Sequence, residues 1–217
     1  PLGLELMKAG RTAQETMDAL VSTDSGKDVR QVGMIDANGN TAVFTGNNTI
    51  PYAGHKMGEN YSVQANLMEK PTVWDAMAHA FESSDGDLAE KLLVALEAAQ
   101  REGGDIRGKQ SAAILVVSGD ATGFPWIDRI FDLRIADHPT PVKELRRLVQ
   151  LKRAYLKLNE GDEWVTKHQM EKAVSAYEIA TSLVEDKQTN GEAPFWVGVT
   201  LIEAHQIEES YPYFRRA

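Results

Sequence analysis

Gly103-Gly104-Asp105-Ile106-Arg107-Gly108-Lys109-Gln110-Ser111 runs directly into Ala112-Ala113-Ile114-Leu115-Val116-Val117. Two adjacent glycines end a helix. A polar knot of Asp, Arg, Gln and Ser follows, and the unbroken apolar run behind it predicts a buried strand. A strand without polar alternation needs cover on both faces, which implies a layered α/β core. Four hydrogen-bonding side chains at the mouth of such a strand are costly unless they pair with each other or meet a ligand.

Upstream of this stretch, Thr12-Ala13-Gln14-Glu15 has the pattern of a capping box, and the helix that it opens should bury Met17, Leu20 and Val21. Val29 to Asp36 and Thr41 to Thr45 read as strands around Asn38-Gly39, a strong hairpin signal. Asp36, Asn38 and Asn40 imitate the start of a calcium loop. Such a loop would next need Gly and later Glu where Thr41 and Asn47 stand, so the hairpin is preferred. In the strand Tyr61 to Leu67, the residues Tyr61, Val63, Ala65 and Leu67 share one face and Ser62, Gln64 and Asn66 the other. Pro71 begins a helix with Val73, Trp74, Met77 and Phe81 on one side. A second helix, 88–102, carries Leu88, Leu92, Leu96 and Ala99 at helical spacing. Ile130 to Ala136 is the last strand, with Phe131, Leu133 and Ile135 opposite Asp132 and Arg134. Helices and strands joined by hairpins predict an α+β fold with a mostly antiparallel sheet.

The character changes after His138-Pro139-Thr140-Pro141, where Thr140 and Pro141 mark the start of a long helix. No strand pattern follows. Lys167-His168-Gln169-Met170-Glu171-Lys172-Ala173 returns 37 residues later as Ala204-His205-Gln206-Ile207-Glu208-Glu209-Ser210. Gly161, Trp164, Tyr177 and Ala180 return as Gly198, Leu201, Phe214 and Ala217. This is a tetratricopeptide-like pattern of paired helices. Two domains are therefore expected, 1–140 and an all-α helical-repeat tail over 141–217, which packs on the first domain, continues beyond Ala217, or both.

Among the 217 residues, 25% are charged and 42% hydrophobic, an ordinary globular composition. Residues 1–140 hold 12 Lys and Arg against 20 Asp and Glu; residues 141–217 hold 11 against 12. An acidic body repels phosphate, so no nucleic-acid partner is expected. No apolar stretch approaches bilayer length and no signal peptide is recognisable, so no membrane partner is expected either. The absence of cysteine removes disulfides, thiolate metal sites and a thiol nucleophile from these residues. The chain opens on Pro1, and Leu2 to Ala9 already reads as helix, from which an N-terminal piece is expected to be missing. A proline amine can also serve as base or nucleophile, though only as a mature, buried terminus.

Candidate site residues each carry a bland alternative. Gln64 and Asn66 place primary amides on one strand face, where they can orient a substrate amide or donate to an oxyanion; a solvated strand face is the alternative. Asp105 and Arg107 either lock the turn as an ion pair or hold a substrate carboxylate, which the Arg107 fork suits. Gln110 and Ser111 are strand-entry residues or contacts to the same ligand. Asp132 and Arg134 present the same choice. The five histidines, at positions 55, 79, 138, 168 and 205, form no metal-ligand spacing, and no metal or cofactor is called for. His168 and His205 occupy equivalent turns of the repeat and read as structural, while His55 reads as a loop residue.

Arg30-Gln31-Val32-Gly33, the Asp36/Gly39 hairpin, Thr45-Gly46, Ala53-Gly54-His55, Val63-Gln64-Ala65-Asn66, the 103–113 stretch and Asp132-Leu133-Arg134-Ile135-Ala136-Asp137-His138-Pro139 occur in one order. Together they resemble the bacterial family called domain of unknown function 1028, placed in the N-terminal-nucleophile (Ntn) hydrolase superfamily. The departures are Ala65 where the family has Gly and Tyr52 where it often has Trp. The resemblance covers roughly residues 1–150. It implies a partial αββα sandwich whose first strands lie upstream of Pro1. It also implies catalysis by an N-terminal Thr, Ser or Cys whose α-amine is the base. No residue of the chain inherits that role, so the chain alone is expected to be inactive. The leading expectation is a hydrolase of small amides or peptides, with Gln64, Asn66, Asp105 and Arg107 in one concave site. The alternative is a non-catalytic ligand- or peptide-binding protein whose helical tail recruits a protein partner. A homo-oligomer stays open, and a cytoplasmic location is favoured.

Overall fold

The computed structural model describes residues 2–217, so the catalytic reading of Pro1 lies outside the described residues. Two compact units emerge: one runs to Ala112 and includes Ala136–Val142, the other joins Ala113–Ile135 to Lys143–Ala217. The division differs from the expected 140/141 boundary in where residues 113–135 belong.

In the first unit, a short helix α1 (Leu2–Lys8) precedes α2 (Ala13–Thr23). The capping box closes as expected. Thr12 Oγ1 accepts from the Glu15 N–H at 3.2 Å, and the Glu15 carboxylate accepts from the Thr12 N–H at 2.9 Å. Strands β1 (Gln31–Ile35) and β2 (Thr41–Thr45) form an antiparallel hairpin with Gly33 opposite Val43. Its turn needs a left-handed residue, and Gly39 supplies it at φ 82°. β3 (Gly54–Gly58) and β4 (Tyr61–Ala65) form a second hairpin with Lys56 opposite Val63. β4 ends two residues before the sequence pattern suggests, because Leu67 turns to φ 59°.

The layers follow from which face each hairpin buries. α2 lays Ala13 and Met17 on Ala42, with Val32, Met34 and Phe44 packed around them. Helix α3 (Val73–Glu82) lays Ala78 on Tyr61 and Val63, with Trp74, Met77 and Phe81 around them. Gly54 permits that approach, since a Cβ there would stand 2.6 Å from the Trp74 ring. The two hairpins contact each other through β2 with β3 and β1 with β4, and α4 (Leu88–Arg101) packs on α3. The order is helix, hairpin, hairpin, helix. Burial, and then the Glu82 carboxylate 2.5 Å away, push the Tyr61 phenol up to about 12.

Asp36 ties the first hairpin to its helix. Its Oδ2 accepts from the Ala13 N–H at 3.1 Å, and its Oδ1 accepts from the Asn38 and Asn40 N–H groups at 2.9 and 3.1 Å. The Ala13 N–H foremost, with the Asn40 and Asn38 donors, holds this carboxyl below the usual carboxylate range. A depressed folded-state pKa contributes stability above the unfolded value and loses it as pH falls through the folded value. Asp36→Ala is expected to lower the melting temperature at neutral pH, and its gap to the wild type should close as pH drops through the carboxylate range. A gap that stays constant down to acid pH refutes this role.

Two sequence expectations need correction. The apolar strand, β5 (Ala112–Val117), is not covered on both faces: Ile114 and Val116 are buried, whereas Leu115 and Val117 are 57% and 54% exposed. It forms a two-stranded sheet with β6 (Arg129–Ile135), reached through a single turn of helix, α5 (Pro125–Asp128). Packing reaches one side of this ribbon, so an unbroken apolar run sits on a half-covered strand. In α4 the inward residues are Ala89, Leu93, Ala95 and Ala98, while Leu88 is exposed at the helix start beside the Asp87 cap. Two apolar stripes one residue apart compete along this helix; the one through Ala89, Leu93 and Ala98 turns inward, and Leu92, Leu96 and Ala99 beside it are half-buried.

Pro141 opens α6 (Pro141–Thr166) as its first residue, and from Lys143 onward this helix belongs to the second unit. α7 (Met170–Leu183), α8 (Glu192–Glu203) and α9 (Ile207–Phe214) follow, and no strand appears after Pro141 among the described residues. Ala154, Leu158, Ala173, Tyr177, Ala180, Ala193, Val197 and Leu201 form its core. Gly161 receives the ring of Tyr177, and Gly198 receives the ring of Phe214. His168 and His205 both sit left-handed, at φ 55° and 60°, between the helices of the α6–α7 and α8–α9 pairs. The residue after each donates its N–H back into the preceding helix, Gln169 to Trp164 at 2.9 Å and Gln206 to Leu201 at 2.8 Å. No helix among the described residues is long and apolar enough to cross a membrane.

Candidate functional site

Four polar side chains meet between the two hairpins. The Gln31 amide nitrogen faces three acceptors: Thr45 Oγ1 at 3.1 Å, the Gly54 carbonyl at 3.1 Å and the Ala65 carbonyl at 2.9 Å. Its carbonyl oxygen accepts from Asn66 Nδ2 at 2.9 Å. Thr45 Oγ1 lies 2.8 Å from His55 Nδ1. All four residues are half-buried. Gly33 leaves room for the Gln64 amide, whose oxygen would lie 2.5 Å from any Cβ at that position. A glutamine here can bridge the strands because it donates and accepts at once. The Asn66 amide has two N–H groups; one is spent on Gln31, and the other is free to donate to a carbonyl or a developing oxyanion.

The polar stretch before β5 forms a separate feature. Gly103 and Gly104 adopt φ 115° and 73°, which let the chain leave α4 and pair with the segment after β4. The Ile106 N–H donates to the Leu67 carbonyl at 2.9 Å and the Glu69 N–H to the Gly104 carbonyl at 3.0 Å. Arg107 folds onto Asp105 as a two-pronged ion pair, at 2.9 Å through Nε and 2.5 Å through a terminal nitrogen. This pairing lowers the Asp105 carboxyl and raises the Arg107 guanidinium. The Arg107 side chain is 70% exposed, so the pair is a surface turn lock rather than a buried charge. Asp105, Arg107, Lys109, Gln110 and Ser111 line a polar groove of about 600 Å³, together with Asp137 and the start of α6.

The structure thus brings Asp105, Arg107 and Gln110 together on one groove and places Gln64 and Asn66 elsewhere, between the hairpins. Asn66 turns inward to Gln31 instead of toward the groove. Asp132 and Arg134 stand on β6 in the other unit, where Asp132 bridges Arg134 at 3.2 Å and Arg129 at 3.5 Å. Gln31, Thr45 and His55 escape sequence reading as site residues. Gln31 opens a strand like any surface amide, and His55 reads as a loop residue, since no local spacing announces partners 10 to 35 positions away.

The sequence matches the family of unknown function DUF1028 over residues 1–145. The chain belongs to that family. The crystal structure of protein SPO2555 from Silicibacter pomeroyi, described by the same family, resembles it with a TM-score of 0.60 and 31% identity over 69% of this chain and 64% of that one. The chain therefore spans less than two thirds of the length of that DUF1028 relative. No curated protein matches. The interlayer network and the polar groove both fall inside the DUF1028 region, whereas most of α6 and all of α7, α8 and α9 lie beyond it.

Proposed function

We propose that this DUF1028 region is part of an Ntn-hydrolase-like αββα sandwich acting on small amides or peptides. The observation that carries this is the Gln31–Asn66 amide pair, held between two face-to-face hairpins with a helix outside each. In such a hydrolase Asn66 offers its second N–H to the substrate carbonyl, and Gln31 positions it. The Asp105–Arg107 groove is proposed to receive the far end of the substrate. The nucleophile is then a Thr, Ser or Cys at a mature N-terminus, with its own α-amine as base. The helical unit is proposed as two tetratricopeptide-like pairs, supported by the matched Gly161/Tyr177 and Gly198/Phe214 contacts.

The test is to express the full coding sequence, weigh the mature N-terminus and assay a panel of amides and dipeptides. A hydroxyl or thiol residue at that terminus is expected, with turnover that falls by about 10²-fold in Asn66→Ala. Any other mature N-terminal residue, or turnover by residues 1–217 alone that Asn66→Ala abolishes, overturns the assignment. A second reading is a non-catalytic protein whose tail recruits a partner; the exposed aromatic face of α8 favours it.

A further inference from the structure

We infer that the exposed face of α8 and α9 docks an amphipathic helix of another protein, one with an apolar stripe and Lys or Arg flanks. The inference does not depend on the hydrolase reading, because the face lies wholly in the helical unit. α8 turns Ala193, Val197, Gly198 and Leu201 inward. The opposite arc carries Phe195, Val199 and Ile202 at positions i, i+4 and i+7, and Phe195 and Ile202 are each 44% exposed. On α9, Ile207 and Tyr211 repeat the spacing at 52% and 55% exposure. The Phe195 ring sits 6.1 Å from Phe214, which joins the two helices into one surface. A contiguous apolar face of this kind marks an interaction site more often than scattered exposed residues do.

Charge selects the occupant. Glu192 and Glu203 flank the apolar stripe of α8 along one edge, and Glu208 lies one turn from Tyr211 on α9. No Lys or Arg occurs between Lys187 and Arg215. A second copy presenting the same face would set these glutamates against themselves. An anionic membrane would be repelled, and a wholly apolar partner would strand the carboxylates without water or counter-charge. A helix with apolar residues at i, i+3, i+4 and i+7 and basic residues beside them satisfies both features.

The probe is a labelled amphipathic peptide of Leu and Lys, titrated into the full chain by fluorescence anisotropy. The controls are a Leu/Glu peptide of the same pattern and a scrambled Leu/Lys peptide. The patterned Leu/Lys peptide should bind at least about tenfold more tightly than either control, and more weakly as salt rises. Ile202→Ser should cost about tenfold, with an unchanged far-UV circular dichroism spectrum because the side chain is exposed. Glu203→Lys combined with Glu208→Lys should move the preference to the Leu/Glu peptide. Equal binding of the scrambled peptide, or indifference to Ile202→Ser, overturns the proposal. Self-association of the chain that disappears in Ile202→Ser assigns the face to a second copy and overturns it too.

Discussion

Gly161→Ala is expected to destabilise the helical unit by about 2 kcal/mol, although alanine is the better helix former by about 1 kcal/mol. A methyl group at this position would overlap the Tyr177 ring, which is almost wholly buried in the core of the unit. The ring has nowhere to go. Its hydroxyl is fixed 2.6 Å from Asp162, and the ring packs among Ala173, Ala180 and Leu158. Relief would require an off-rotamer ring, a lost hydrogen bond or a separation of α6 from α7. The corresponding change, Gly198→Ala, should cost less, because its Cβ would meet the Phe214 ring at 2.8 Å and Phe214 is only partly buried. Urea titration followed by circular dichroism measures both. If Gly161→Ala is as stable as the wild type, the helix pair is not packed as described. If Gly198→Ala proves the worse of the two, the ranking by contact depth fails.

Gln31→Glu should cost the first unit about 3 kcal/mol at neutral pH, more than most single surface changes. The substitution keeps the shape of the side chain and removes its donors. A carboxylate cannot donate to the carbonyls of Gly54 and Ala65, both of which the native amide serves. It also places a charge in the half-buried space between two hairpins, where part of its hydration is lost. Protonation restores one O–H donor, so the variant should regain part of its stability as pH falls through the range of a raised carboxyl pKa. The sign follows from linkage: a carboxyl that binds its proton more tightly when folded is stabilised toward acid. Gln31→Leu removes the charge but leaves the same carbonyls and Asn66 without their partner. It should show a comparable loss with no pH dependence of its own. Thermal melts over pH 4–7 compare the two. A Gln31→Glu curve that runs parallel to Gln31→Leu at every pH would mean that the glutamate side chain escapes to solvent.

Local elements were legible because their signals are local. The Thr12–Glu15 box, the Asn38-Gly39 turn, Pro141 at a helix start and the Gly161/Gly198 spacing each act within a few residues or repeat at a fixed interval. The motifs that resemble the DUF1028 family were likewise readable, since they rest on residue identity and order. The covered state of β5 was not. An unbroken apolar run records what a strand tolerates, and whether a second layer reaches its outer face depends on distant chain.

Sequence alone determined the α+β character of the first part, the helical character of the tail and the family. For Asp105 and Arg107 it left an ion pair and a ligand contact both open, and the structure folds the fork onto the carboxylate two residues away. Tertiary structure decided that Asn66 belongs with Gln31, Thr45 and His55 rather than with Arg107. Strand alternation assigns Asn66 to a face without saying what that face meets. The stacking of one hairpin on the other supplied the meeting, through Gly33, whose missing side chain admits Gln64.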